Sequence, residues 1–142
     1  MARRGGARGG RDRGRSGRGH DAPSPDRVSI DEAASLMERG RLLDALDAAR
    51  RLLAERPRDP NVRQLLGMIA GRRHRFEEAI EHFRQLAELV PGDPLARCRL
   101  GMSAMYAGRF DDAAAAFDAA LALRPGFPAA IRGRAELLER RG

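Results

Sequence analysis

The sequence of 142 residues has one cysteine, no lysine and no long apolar run. With Cys98 alone the chain cannot form an internal disulfide, and nothing in it indicates an oxidising compartment. No apolar run approaches the roughly 18–20 residues that a membrane-spanning helix needs. The basic N-terminus also lacks the apolar segment of a secretory signal. These absences predict a cytoplasmic protein that does not engage membranes.

The short motifs of common catalytic and metal sites are absent as well. The sequence contains no HExxH metal motif, no Walker loop for phosphate and no GxSxG nucleophile motif. Glu78 and His82 lie four residues apart on one predicted helix face, but no second set of metal ligands accompanies them. We interpret them as a solvent-facing pair. The sequence therefore predicts a non-enzymatic protein with no catalytic residue, no metal and no cofactor.

The positive charge is concentrated at the N-terminus. The formal net charge is +7, and residues 1–20 alone hold seven arginines and one aspartate. Residues 1–26 are poor in apolar side chains, so they cannot bury enough surface to fold and are predicted to be disordered. Arg-Gly repeats can bind RNA and other polyanions through phosphate contacts, although no aromatic residue is present there for base stacking. The candidate polyanion-binding residues are Arg3, Arg4, Arg8, Arg11, Arg13, Arg15 and Arg18.

A repeat with a period of 34 residues dominates the rest of the chain. Leu66-Gly67 recurs as Leu100-Gly101, and Phe83 recurs as Phe117. The same spacing relates Phe76 to Phe110, Ala79 to Ala113, and Pro57, Pro91 and Pro125 to one another. A fixed period of this length is typical of stacked helical hairpins, because no hairpin can bury its apolar face alone.

Residues that start and stop helices predict where the elements lie. Ser29 and Glu32 fit a capping box at the start of the first helix, and a second helix is predicted from about Leu42 to Glu55. Asp59-Pro60 and Asp93-Pro94 each supply a capping residue followed by proline at the first helical position. Two further hairpins are therefore predicted over 60–90 and 94–123.

A last helix is predicted from about Pro128 to Arg141. Ile131, Ala135 and Leu138 share one of its faces, and charged residues occupy the opposite side. An apolar stripe backed by charges is what a terminal capping helix needs. Ala135 is in register with Gly67 and Gly101, and we expect all three small residues to allow close approach of a neighbouring helix.

The repeated residues resemble the helix-turn-helix pattern of the tetratricopeptide repeat (TPR) family. The matching positions are Leu66-Gly67, Phe76, Ala79, Phe83 and Pro91, and then Leu100-Gly101, Gly108, Phe110, Ala113, Phe117, Ala120-Leu121 and Pro125. The first unit is weaker, since Ala49 replaces its second aromatic residue, and Arg63 and Arg97 stand where the family often has a large apolar residue.

The resemblance covers about residues 27–142 and implies an all-α fold. The implied architecture is a right-handed superhelical solenoid of three hairpins, at about 27–59, 60–93 and 94–127, with a C-terminal capping helix over 128–142. The disordered Arg/Gly-rich tail and a Pro linker, residues 1–26, would precede this TPR domain.

The resemblance also implies that the first helix of each hairpin lines a concave face that binds a protein or peptide partner. In that register the predicted partner-binding residues are Ile30, Ala34, Met37, Gln64, Met68, Arg72, Cys98, Met102, Met105 and Tyr106. Methionine is flexible and suits adaptable binding surfaces, although some of these methionines could instead fill the hairpin interior. The Lys/Arg/Asn clamp that some members use for chaperone C-termini is missing, so an apolar or amphipathic helical ligand fits better.

The favoured interpretation is a protein–protein interaction scaffold, and two alternatives stay open. The protein could be RNA-associated and act through its Arg-Gly tail. It could also be the detached N-terminal scaffold of a larger TPR enzyme of the sulfotransferase or glycosyltransferase type. Self-association through the open solenoid ends is a further possibility, because three repeats are near the minimum for a stable array.

Overall fold

The computed structural model describes residues 28–142, which form seven α-helices and no strand. The helices are α1 (Ile30–Glu38), α2 (Leu42–Glu55), α3 (Pro60–Arg72), α4 (Phe76–Leu89), α5 (Pro94–Tyr106), α6 (Phe110–Leu123) and α7 (Pro128–Arg141). None of these helices is long and apolar enough to cross a membrane. The predicted disorder of residues 1–26 and the polyanion-binding arginines from Arg3 to Arg18 lie outside the described residues.

The predicted capping residues begin the first helix of each hairpin. The Ser29 hydroxyl accepts a hydrogen bond from the Glu32 amide at 3.0 Å, and the Glu32 carboxylate accepts one from the Ser29 amide at 3.0 Å. Asp59 and Asp93 each accept a hydrogen bond from the amide two residues later, at 2.9 Å. A cap of this kind stabilises a helix by about 1 kcal/mol. The capping box and both Asp-Pro starts are thus confirmed.

The turn inside each hairpin contains one residue in the left-handed region. Gly40 and Gly108 have φ of 79°, and His74, at the equivalent position of the middle hairpin, has φ of 60°. This conformation costs a residue with a Cβ roughly 1–2 kcal/mol, which explains glycine at two of the three positions. His74 gains an edge-on contact with Phe76, with ring centroids 5.6 Å apart.

Two buried phenylalanines pack directly on glycines and join the helices. A Cβ at Gly67 would lie 2.6 Å from the Phe83 ring, and Cβ atoms at Gly101 and Gly133 would lie 2.8 and 2.4 Å from Phe117. Packed atoms do not approach so closely, so a side chain at any of these glycines would force a shift in a well-packed core. Phe117 of α6 therefore holds α5 and α7 together, and the predicted role of Gly67 and Gly101 is confirmed.

The terminal helix α7 packs by a different face from the one predicted. Its buried residues are Ala130, Gly133 and Leu137, whereas Ile131 and Leu138 are 50% and 66% exposed and Ala135 is exposed. In α3 and α5 the face that corresponds to these exposed residues packs against the second helix of the same hairpin. The helix α7 is the last one described and packs instead against α5 and α6. The prediction that Ala135 allows the close approach is therefore wrong, because Gly133 does so.

The first helices of the hairpins lie on the inner side of the solenoid. Beyond the contacts between consecutive helices, α1 packs against α3, and α5 packs against α7. Direct packing between first helices places them where the stack curves inward, as in the right-handed superhelix predicted for this fold. We call the solvent-facing surface of α1, α3, α5 and α7 the inner face.

Candidate partner-binding site

An apolar cleft of about 340 Å³ opens on the inner face between α3 and α5. It is lined by Gly67, Met68, Gly71, Arg72, Phe76, Phe83, Arg99, Met102, Ser103 and Tyr106. Gly67 and Gly71 come from one helix and present no side chain, and a Cβ at Gly71 would meet no atom within 4 Å. Met68 of α3 and Met102 of α5, both half-buried, line the cleft from different helices. The cleft can therefore accept an apolar side chain against flexible thioether walls.

Tyr106 forms one wall of the apolar cleft and is 40% exposed. Its ring centroid lies 5.5 Å from that of Phe76, and the Arg140 guanidinium carbon lies 4.9 Å above the ring. A cation over an aromatic face contributes roughly 0.5–1 kcal/mol at an exposed site. Arg140 also pairs with Glu136 at 3.0 Å, so the orientation of the tyrosine depends on α7.

Arg72 borders the cleft but is already engaged with the preceding hairpin. Its guanidinium donates to the Met37 carbonyl oxygen at 3.4 Å and to Glu38 Oε2 at 3.3 Å. These acceptors lie at the carboxyl end of α1, where a cation is favoured by the helix dipole. Arg72 thus links two hairpins, and its charge is partly compensated by Glu38.

A second cleft, of about 330 Å³, lies beside the first between α5 and α7. Its lining residues are Leu95, Cys98, Arg99, Met102, Ala129, Arg132, Gly133 and Glu136. We call it the arginine cleft, because Arg99 and Arg132 are its cations. Arg99 and Met102 line both clefts, so the two form adjoining parts of one surface.

Three of the residues predicted to contact a partner are buried. Met37, Cys98 and Met105 are 2%, 3% and 1% exposed and belong to hydrophobic clusters between the helices. Met37 and Met105 therefore fill the hairpin interior and do not form part of a binding surface, since neither lines a cleft. Cys98 forms part of the floor of the arginine cleft. Burial raises the pKa of its thiol, with Arg132 opposing the shift, so Cys98 stays protonated and acts as a small packing residue.

The other predicted residues divide between the apolar cleft and its surroundings. Met68, Arg72, Met102 and Tyr106 come together around the apolar cleft. Ile30, Ala34 and Gln64 are half-buried on α1 and α3 and line neither cleft; Ile30 and Ala34 pack against the cluster formed by α1, α2 and α3. The structure therefore concentrates the candidate site on α3, α5 and α7.

Sequence reasoning missed several residues that line the two clefts. They are Phe76, Phe83, Leu95, Arg99, Ser103, Ala129, Arg132 and Glu136, in addition to the glycines Gly67, Gly71 and Gly133. The 34-residue period could have found two of them, because Arg132 and Glu136 follow Cys98 and Met102 at that spacing. Arg99 lies three residues before Met102 and therefore shares its helix face. Arg99 and Arg132 thus add positive charge to a predicted set of ten residues in which Arg72 is the single charged one.

His82 lies elsewhere, on the interface between α3 and α4. The ring is half-buried, and its Nδ1 lies 3.1 Å from Arg63 Nη1, so the interpretation as a solvent-facing pair with Glu78 is wrong. Burial and then the Arg63 charge lower its pKa, against the opposite effects of Glu78 and Glu81. Among residues 28–142 no three His, Cys, Asp or Glu side chains are grouped as metal ligands.

Comparison with solved structures places the fold among TPR proteins. The second TPR domain of human RPAP3, in complex with the HSP70 peptide SGPTIEEVD, is 20% identical with a TM-score of 0.71, over 75% of this chain and 89% of that one. YrrB, a TPR protein with an unusual peptide-binding site, is 21% identical with a TM-score of 0.70, over 75% of this chain and 55% of that one. A mutant Thermobaculum terrenum O-GlcNAc transferase is 24% identical with a TM-score of 0.63, over 76% of this chain but only 20% of the transferase chain.

Two sequence comparisons complete these findings. Among curated proteins, none matches the chain. The family model described as tetratricopeptide repeat matches residues 30–94 and 98–142. These ranges cover most of the chain and coincide with the hairpins and the terminal helix. The chain therefore belongs to the tetratricopeptide repeat family.

Proposed function

We propose that the protein is a non-enzymatic scaffold that binds a peptide or helical segment of a partner protein on its inner face. The observation that carries this proposal is the pair of adjoining clefts, whose walls expose Met68, Met102 and Tyr106 on the first helices of consecutive hairpins. Peptide binding by RPAP3 and YrrB supports it, since both share the fold. Cofactors and metals have no part in this mechanism.

Binding would proceed by burial of an apolar side chain of the partner in the apolar cleft. Each 100 Å² of apolar surface removed from water contributes about 2.5 kcal/mol before the entropic costs of association. Met68 and Met102 can adjust their rotamers to the shape of the incoming group, which suits recognition of more than one sequence. Gly71, where a Cβ would meet no atom within 4 Å, leaves room for the backbone of the partner to come close.

The test replaces a wall residue with a charged one and measures partner capture together with folding. We expect Met68→Glu or Met102→Glu to abolish capture of the partner in an affinity pull-down analysed by mass spectrometry, with helicity by circular dichroism unchanged. The matched control is Leu43→Glu, because Leu43 of α2 is 68% exposed and lines neither cleft. If Met68→Glu and Met102→Glu capture the partner as well as Leu43→Glu does, the proposal is contradicted.

The two alternative functions are tested by different observations. An RNA-associated protein that acts through its tail would lose its partners on removal of residues 1–20 or on nuclease treatment, and would retain them in Met68→Glu. A scaffold detached from a larger enzyme would be accompanied by a longer reading frame or an adjacent enzyme gene.

The proposed cytoplasmic location is checked by fractionation of the cells that produce the protein.

A further inference from the structure

The arginine cleft holds more positive charge than its own residues compensate. Glu136 is its one acidic lining residue, and this carboxylate is engaged by Arg140 through two nitrogen atoms, at 3.0 and 3.1 Å. Arg99 and Arg132 form no ion pair with any acidic residue of the described range 28–142. By contrast, Arg72 at the edge of the apolar cleft is paired with Glu38.

Arg99 is a cation that the fold has partly withdrawn from water. Its side chain is half-buried, and its Nε is inaccessible to solvent and has no hydrogen-bond partner within residues 28–142. A partly desolvated guanidinium gains more from a nearby anion than a fully exposed one, because the local dielectric screening is weaker. Arg97 likewise has a buried Nε without a hydrogen-bond partner within residues 28–142. It lines a different cleft, together with Arg84, Arg109 and Asp112, and that cleft has no residue in common with the two clefts of the inner face.

The position of Arg99 couples the two clefts. Arg99 and Met102 line both, so one segment that passes over α5 meets an apolar space on one side and two guanidinium groups on the other. Guanidinium recognises carboxylate through paired, charge-assisted hydrogen bonds that a neutral amide cannot reproduce. The surface is therefore built for a segment in which an apolar and an acidic side chain are close neighbours.

We propose that the partner segment bound on the inner face is acidic: it inserts an apolar side chain into the apolar cleft and places a carboxylate against Arg99 and Arg132. This inference rests on the proposed function and specifies the chemistry of its ligand. The N-terminal tail of the same chain, or of a second copy, is a poor occupant, because residues 1–20 carry seven arginines and a single acid. Like charges brought together at the arginine cleft would disfavour such a complex.

The test uses two labelled synthetic peptides that differ only in charge. One is an amphipathic peptide with leucines at helix spacing and glutamates beside them, and its twin carries glutamines in place of the glutamates. Affinities for the full-length protein are measured by fluorescence anisotropy. We expect the acidic peptide to bind about tenfold more tightly than its twin, the size of effect that one charge-assisted hydrogen bond gives.

Matched variants assign that preference to the cleft. In Arg99→Gln/Arg132→Gln the preference for glutamate should fall to about twofold or less. In Arg39→Gln/Arg58→Gln, which removes the same net charge at exposed positions outside the clefts, the preference should persist. All variants keep the basic tail, so its general attraction for acidic peptides is common to every measurement.

The outcomes separate this inference from the proposed function. Equal affinity of the two peptides for the wild-type protein, or an equal fall in preference in both double variants, would overturn the inference, as would binding of neither peptide. The two peptides could bind the wild-type protein equally while Met68→Glu abolishes the binding of both. In that case the inner face binds peptides, but the acidic preference is refuted. If the preference is lost in Arg99→Gln/Arg132→Gln alone, the acidic ligand class is established.

Discussion

At the scale of single residues, the middle hairpin contains a polar pair whose arginine, Arg63, stands where the TPR family often has a large apolar side chain. Arg63 of α3 lies 3.1 Å from Nδ1 of His82 on α4. Arginine can only donate, so Nδ1 must accept and the ring is neutral in this contact. Burial, Arg63 and Arg50 lower the pKa of His82, and Glu78 and Glu81 oppose them. The pair therefore depends on an uncharged imidazole.

This contact makes stability depend on pH in a defined direction. The pKa of His82 is lower in the folded state than the ordinary value of 6.5, so the unfolded chain binds more protons between the two values. The His82 contribution should be fully present above pH 6.5 and decrease as the pH falls from there through the folded-state pKa. Urea unfolding from about pH 8 to about pH 5 measures the effect. His82→Gln should remove the His82 part of the change in unfolding free energy with pH, whereas His74→Gln, at an exposed position, should keep it. The same pH dependence in the wild type and in His82→Gln would refute the assignment.

At the scale of helices, the sequence predicted those features whose causes are local. The capping box at Ser29 and the Asp-Pro starts depend on atoms within three residues of one another, so their residue types suffice. The packing face of α7 depends instead on which helices are beside it. Gly133 and Ala135 are both small, and only the position of Phe117 decides that Gly133 is the one in contact.

The dependence of packing on neighbouring helices also explains which of the methionines form the candidate site. Met37, Met68, Met102 and Met105 all occur at helical spacing on first helices, and periodicity groups them together. Met102 and Met105 are one turn apart, yet Met102 lines both clefts whereas Met105 is enclosed by the cluster that includes Phe117. Burial here is decided by the neighbouring helices, which the spacing of one helix does not reveal.

Two adjacent leucines of α7 test its orientation. Leu137 is 3% exposed and Leu138 is 66% exposed. We expect Leu137→Ala to lower the free energy of unfolding by about 2–3 kcal/mol, because it leaves a cavity in the core. Leu138→Ala should change it by less than about 0.5 kcal/mol, as at other surface positions. Thermal and urea unfolding of the two variants decide between the faces, and the reverse order of the two losses would restore the orientation expected from the sequence.

At the scale of the whole molecule, α7 carries an apolar stripe that no other helix of the described residues 28–142 covers. Ile131 and Leu138 flank the small Ala135 on one exposed face of α7, which differs from the face that its buried residues form. Helices join this stack by burying such a stripe against a neighbour. The self-association predicted from the sequence would use this stripe, because an identical stripe on a second α7 is self-complementary in an antiparallel arrangement.

Sedimentation equilibrium over a range of concentrations tests this prediction. The wild-type protein should show weak, concentration-dependent dimerisation, since the stripe is small compared with the roughly 800 Å² per partner of a standard interface. Leu138→Glu should render it monomeric without loss of helicity, whereas Leu43→Glu, which alters an exposed leucine on α2, should not. A wild-type protein that stays monomeric at the highest concentration reached would exclude the dimer.

The wall of the apolar cleft also has a spectroscopic consequence. Tyr106 is the single tyrosine of a chain without tryptophan, so the near-ultraviolet emission of the unmodified protein comes almost entirely from one ring. That ring is partly exposed to solvent and lies beneath the Arg140 guanidinium. A side chain that enters the cleft must alter the hydration of the ring, its contact with the cation, or both. The protein therefore carries a native fluorophore at its candidate site, with which ligand occupancy can be titrated without a label.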